Sequence, residues 1–248
     1  MKRLYGIKWI AALAIVAALG TKASAETVTL FDGHQLAAIL TGDDRPLQLA
    51  GDLLARDLEG VTGMAPQRAS NKADCSTVCI VIGRYDSPLI RSITEDAGIE
   101  IDTAALKGQW ERYERILVAS KRDPQQRYLI LAGSDTRGAI WGVMDLSRAL
   151  GVSPWQWWAD VPPHKRDHIA VDGAMLLSDV PSVRYRGIFL NDEDWGLQPW
   201  AAKTYEPETG DIGPKTYARI FELLWRLKAN LIWPAMHDST RPFYQVRG

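Results

Sequence analysis

The sequence predicts an α/β chain, with an N-terminal α/β layer domain followed by the first β-α-β portion of an incomplete (β/α)8 TIM barrel. Three observations predict it. From Glu26 to about Asp179, short apolar strands alternate with helices. Residues 185–237 then read as strand, acidic segment, amphipathic helix and second strand, and the sequence stops at Gly248, too soon for a barrel to close. The expected divisions are residues 1–25, 26–178 and 179–248.

Residues 1–25 carry Lys2, Arg3 and Lys8, an apolar run from Trp9 to Leu19, and Ala23-Ser24-Ala25 ahead of Glu26. This is the pattern of a secretory signal peptide. Its 11-residue core is shorter than the roughly 20 residues that span a bilayer, so the mature product is expected to be exported, periplasmic or extracellular, and free of the membrane. Cleavage would remove four basic residues and no acidic ones, taking the formal charge from −1 to −5. Such a balance argues against nucleic acid as a partner.

In the first domain, strands are expected at 28–31, 78–83, 116–120, 128–132 and 169–176, with helices at 47–58 and 138–150. Cys75 and Cys79 are separated by three residues at the start of an apolar strand, which suits either a disulfide across a tight turn or a small buried thiol. The segment Gly133-Ser134-Asp135-Thr136-Arg137-Gly138 passes from strand to helix. It lacks the spacing of a phosphate loop and reads as a structural turn with an N-cap, rather than an anion site. His164 and His168 lie four apart in a non-helical stretch without a third ligand, so no metal site is expected, and no cofactor. Ten tryptophans are many for this length, and three of them fall in Trp155-Gln156-Trp157-Trp158 ahead of Pro162-Pro163. That connector reads as an interdomain wedge or as a stacking face for sugar, the wedge being favoured.

In the second domain, residues 186–190 form the first strand. Pro214 can open a helix over 215–228, because its missing N–H costs nothing at that position. Tyr217, Ile220, Phe221, Leu224 and Leu227 give that helix one apolar stripe, and residues 231–233 form the second strand.

Chemistry concentrates at the carboxyl ends of these two strands. After the first come Asn191, Asp192, Glu193, Asp194 and Trp195; after the second come Trp233, Met236 and His237. Crowded carboxylates raise one another's pKa unless compensated, which suits a general acid, while amide and indole groups suit sugar hydroxyls and ring faces. Glu193 and Asp192 are the candidate catalytic carboxyls. Asn191, Asp194, Trp195, Trp233, Met236 and His237 are the candidate substrate contacts. An acidic solvated turn is the bland competitor, and the coincidence of two such strand ends favours function.

Four segments in order resemble glycoside hydrolase family 115: 133–138, then Ser153-Pro154-Trp155-Gln156-Trp157-Trp158-Ala159-Asp160-Val161-Pro162, then Arg186-Gly187-Ile188-Phe189-Leu190-Asn191-Asp192-Glu193-Asp194-Trp195, and Leu227-Lys228-Ala229-Asn230-Leu231-Ile232-Trp233-Pro234-Ala235-Met236. The resemblance implies an α-glucuronidase that removes α-1,2-linked glucuronic acid, or its 4-O-methyl form, from glucuronoxylan or aldouronic acid oligosaccharides. It also implies inversion by two carboxyls, and a family architecture in which a (β/α)8 barrel follows an α/β domain. The family's chains are several hundred residues longer. The second catalytic carboxyl and the basic groups for the uronate are thus expected beyond Gly248, the present chain is expected to be inactive alone, and a homodimer is conceivable at full length. Two rivals remain: a β-hexosaminidase-like exo-glycosidase, and a non-catalytic carbohydrate-binding protein.

Overall fold

The computed structural model describes residues 27–191 and 193–246. The expected signal peptide and Asp192 lie outside the described residues. In chain order the elements are β1 (Thr27–Phe31), β2 (Ala38–Thr41), α1 (Arg45–Thr62), β3 (Arg68–Ala69), β4 (Val78–Arg84), α2 (Pro88–Ala97), α3 (Thr103–Leu106), β5 (Tyr113–Ala119), β6 (Arg127–Gly133), α4 (Thr136–Ala149), β7 (Ile169–Asp172), β8 (Leu176–Leu177), β9 (Gly187–Phe189), α5 (Gln198–Trp200), α6 (Pro214–Arg226) and β10 (Leu231–Trp233).

A six-stranded sheet in the order β3-β2-β4-β6-β5-β8 forms the first layer. Strands β3, β2, β4 and β6 run parallel, and β5 and β8 close the far edge antiparallel. Successive residues of β4 point to opposite faces, as strand geometry requires. Ile80 and Ile82 join the core under α1 and α4, whereas Cys79 and Val81 join the core under α2 and α3. Both faces are therefore covered by helices. Near-continuous apolar runs in β4 and β6 are the expected consequence.

Some expectations need correction and others hold. Residues 169–176 do not make one strand. Asp172 turns the chain by accepting from the Ala174 N–H at 2.8 Å, so β7 pairs with β1 in a separate two-stranded sheet while β8 joins β5. Strands β2 and β3 and helices α2 and α3 were not anticipated; β2, β3 and α3 are only two to four residues long, whereas α2 does carry a helical spacing at Ile90, Ile93, Thr94 and Ala97 behind Ser87-Pro88, a signal that could have found it. Cys75 and Cys79 are bonded as a disulfide, with Cα atoms 5.5 Å apart. The Gly133 turn is structural. Its Asp135 caps α4 by accepting from Gly138 N–H at 2.7 Å and also accepts from Glu111 N–H, while Ser134 Oγ accepts from Arg112 N–H.

Strands β9 and β10 pair in parallel, Gly187 opposite Leu231 and Phe189 opposite Trp233, with α6 between them in sequence. Gly187 is required there, since a Cβ would lie 1.8 Å from the Leu231 carbonyl oxygen. Helix α6 buries Tyr217, Ile220 and Leu224, but Phe221 and Leu227 of the expected stripe are exposed at 37% and 42%. Its N-terminus is capped from a distance. The buried Glu206 carboxylate accepts from Lys215 N–H, Thr216 N–H and the Thr216 hydroxyl, matching anion to helix dipole.

The two parts are tied by charge as well as by packing. Arg226 on α6 donates to both oxygens of Asp57 on α1 at 2.8 and 2.9 Å, with both side chains buried. The tryptophan-rich connector acts as a wedge. Trp158 donates its indole N–H to the Arg219 carbonyl at 3.2 Å, and Trp157 packs against Trp200 and Tyr205 under the Arg219 guanidinium.

Candidate active site

The acids after β9 stand on a helical turn rather than on an open loop. Residues Glu193–Leu197 and Ala201–Tyr205 form wide π-type turns on either side of α5, and such turns often mark functional positions. The turn faces the segment after β10, whose Pro234-Ala235-Met236-His237 backbone runs alongside it.

Glu193 is the residue that joins them. Only 2% of it is exposed, although it belongs to an acidic run. Its Oε1 accepts from the Met236 N–H at 3.2 Å and the His237 N–H at 2.9 Å. Its Oε2 is buried and has no partner among the described residues. Burial by itself pushes this carboxyl up. The backbone N–H groups of Glu193, His237 and Met236, with the nearby His237 imidazole, outweigh burial and hold it below the ordinary glutamate range. The compensation that keeps a crowded carboxyl from being raised is therefore present at Glu193, supplied by the segment after β10 and by its own backbone. An anion with one uncommitted oxygen can accept a hydrogen bond or a proton, and it is unsuited to giving one.

Around this carboxylate the surface is open and aromatic. His237 Nδ1 lies 3.5 Å from Asp194 Oδ2, with the imidazole side chain 62% exposed. Trp195, Trp233 and Met236 are exposed at 86%, 60% and 61%, and the Trp233 ring meets Phe189 at 5.3 Å. Asn191 is exposed at the strand end. Glu193, Asp194, Met236 and His237 are thus brought together as expected.

Tyr217 was anticipated only as a core residue. Its hydroxyl is buried without a hydrogen-bond partner among the described residues. Burial raises its pKa; the Ala235 backbone N–H opposes that, and the charges of Asp211 and Glu193 add to it. Nothing in its helical spacing distinguishes it from a packing tyrosine. Among the described residues no group of three or more His, Cys, Asp or Glu side chains could hold a metal, and no helix is long and apolar enough to cross a membrane.

Comparison with known proteins gives this geometry a family. Residues 178–247 match the model of glycosyl hydrolase family 115. A solved structure of a family GH115 4-O-methyl-α-glucuronidase, BtGH115A, with specificity for decorated arabinogalactans, is 41% identical over 90% of the present chain, with a TM-score of 0.74. The present chain spans 27% of the length of BtGH115A. A mutant Streptomyces plicatus β-hexosaminidase in complex with its product is 18% identical, covering 83% of this chain and 30% of its own, at a TM-score of 0.44, too weak a likeness to argue from. No protein of curated function matches. Identity at this level, carried across both the layered sheet and the β9–β10 unit, means that the chain belongs to glycosyl hydrolase family 115.

Proposed function

We propose that the chain is the N-terminal part of an exported glycoside hydrolase that removes α-linked glucuronic acid, or its 4-O-methyl form, from a plant polysaccharide. In this reading β9, α6 and β10 open a (β/α)8 barrel, residues 1–25 are a cleaved signal peptide, and the ends of β9 and β10 are neighbouring positions on the barrel's carboxyl rim, where such barrels hold their sites. The observation that carries the reading is the buried Glu193 carboxylate after β9, bound on one oxygen by two backbone N–H groups from the segment after β10 and, among the described residues, without a partner on the other. The exposed indoles of Trp195 and Trp233 offer apolar faces to a sugar ring, and Asn191, Asp194 and His237 offer hydrogen bonds to its hydroxyls.

Inversion needs a proton donor and a base on opposite sides of the scissile bond, about 6.5–9.5 Å apart. Glu193, held anionic, fits the base side or the binding of a sugar hydroxyl. The donor is then another carboxyl, either Asp192 or a residue of the remaining barrel. BtGH115A's specificity for decorated arabinogalactans adds a second polymer to the glucuronoxylan that the sequence suggests.

A chimera tests the reading. Residues 27–246 replace the matching quarter of BtGH115A, and release of glucuronic acid is followed on glucuronoxylan and on decorated arabinogalactan. Activity on either polymer is expected, and Glu193→Gln should lower kcat by at least about 100-fold, the scale on which general acid–base groups act. A folded chimera whose Glu193→Gln variant turns over normally would remove Glu193 from the chemistry. Residues 27–246 alone should release nothing, since two barrel strands cannot enclose a sugar.

A further inference from the structure

Glu111 lies in the layered domain, between α3 and β5, and has left-handed backbone geometry with φ of +55°. It is 3% exposed. Its carboxylate is fully engaged. Oε1 accepts from Asn230 Nδ2 at 2.7 Å, Oε2 accepts from the Trp141 indole N–H at 3.3 Å and pairs with the Arg186 guanidinium, and Arg137 Nη1 stands 3.7 Å away. The backbone is pinned too, Glu111 N–H donating to Asp135.

Arg186 and Asn230 are the residues immediately before β9 and β10. They also bind each other. Arg186 N–H donates to Asn230 Oδ1 at 3.0 Å, and the Arg186 carbonyl accepts from the Asn230 and Leu231 N–H groups. The Arg186 guanidinium donates further to the Lys228 carbonyl and to the Val183 carbonyl. One carboxylate from the layered domain therefore holds the amino ends of both strands.

The register set at that end decides the geometry at the other. Each strand is only three residues long, so in the present chain few ladder bonds fix the pair and the contacts at its amino end carry the register. A slip of one residue would turn every side chain to the opposite face. It would also carry Met236 and His237 away from Glu193. We infer that Glu111 is a positioning residue for the Glu193 site, acting through Arg186, Asn230 and the β9–β10 register over about 13 Å of strand. The inference rests on reading the Glu193 end as the functional one. It assigns the layered domain a part in forming the site, in place of mere attachment to it.

A purely stabilising role is the competitor, since groups at the amino ends of barrel strands commonly serve stability. Amide hydrogen exchange, read residue by residue on the whole chain without sugar, separates the two. In Glu111→Ala and in the milder Glu111→Gln, exchange at Met236 and His237 should quicken by about tenfold or more, while amides of β4 and β6 stay within about twofold. In a Glu193→Gln background the effect on those two amides should shrink, because the bond being positioned is already weakened. Unchanged exchange at Met236 and His237 in Glu111→Gln overturns the inference. So does quickening that merely follows β4 and β6, and so does an undiminished effect in the double variant. Should Glu111→Ala fail to fold, Glu111→Gln decides alone. Failure of the chimera to release glucuronic acid would count against the proposed function and leave this result standing.

Discussion

Glu111 and Glu193 are carboxylates of nearly equal burial, 3% and 2% exposed, at opposite ends of one parallel strand pair, and the fold satisfies them differently. Both oxygens of Glu111 are paired, with donors from both parts of the chain, including a guanidinium. Glu193 has two backbone donors on one oxygen and, among the described residues, none on the other. Leaving a buried acceptor unsatisfied costs about 1–3 kcal/mol, more when it is charged. Proteins depart from polar satisfaction chiefly at functional positions. The contrast agrees with the proposed function, in which the amino ends of β9 and β10 hold shape and the carboxyl ends meet a ligand.

The change that should break the comparison most completely removes the register shared by both ends. Gly187→Ala places a methyl 1.8 Å from the Leu231 carbonyl oxygen, a clash with backbone that no side-chain movement relieves. The strands must part, at a cost of about 3 kcal/mol or more. Chemical denaturation should show the loss, and exchange at both Asn230 and Met236 should quicken together. A variant with native stability would mean that β9 and β10 are not held as closely as described.

Next in size is a pair of matched substitutions. Glu111→Gln leaves Arg186 without its buried counter-charge and, because Arg186 is about a quarter exposed, should cost about 2–3 kcal/mol rather than the 3–5 of a fully buried pair. Glu193→Gln keeps an oxygen for the Met236 and His237 N–H groups and removes an unpaired charge, so its cost should stay within about 1 kcal/mol. Denaturant midpoints of the two variants check the ordering. Equal losses would erase the distinction between a shape-holding and a ligand-facing carboxylate.

Parts of this arrangement were legible in the sequence, and the reasons differ by residue. The β9–α6–β10 unit was visible because Pro214 and the spacing of Tyr217, Ile220 and Leu224 are local signals. The acids at the end of β9 were visible because they cluster. Glu111 was not. Its partners lie 75 and 119 residues away, and a single acid beside Trp110 and Arg112 has no pattern to read. Crowding raises a carboxyl only where nothing compensates, and the compensation at Glu193 was not legible, because the Met236 and His237 N–H groups reach it only where the two strand ends meet. The expected single strand over 169–176 failed at Asp172, whose side chain turns the backbone within an otherwise apolar run.

The smallest expected effect separates the two parts of the molecule by pH. Glu193 has its folded pKa lowered, so its contribution to stability is present above the unfolded value of about 4.3 and is lost as pH falls through the folded value. Glu114 on β5 behaves with the opposite sign. Burial raises its carboxyl, the Asp102 N–H lowers it in part, and the Asp102 carboxylate raises it again. The folded layer therefore binds the extra proton first and gains stability as pH falls through the raised value toward about 4.3. Acidification should first tighten the sheet around β5 slightly and, below about 4.3, release Met236 and His237 from Glu193 while β4 and β6 remain paired. Exchange rates corrected for intrinsic chemistry, followed by NMR down the pH scale, would show the Met236 and His237 amides losing protection ahead of the sheet. Protection of these two amides that persisted until the sheet itself melted would show that the Met236 and His237 bonds do not depend on the Glu193 charge, and the difference between the two buried carboxylates would then lie in geometry alone.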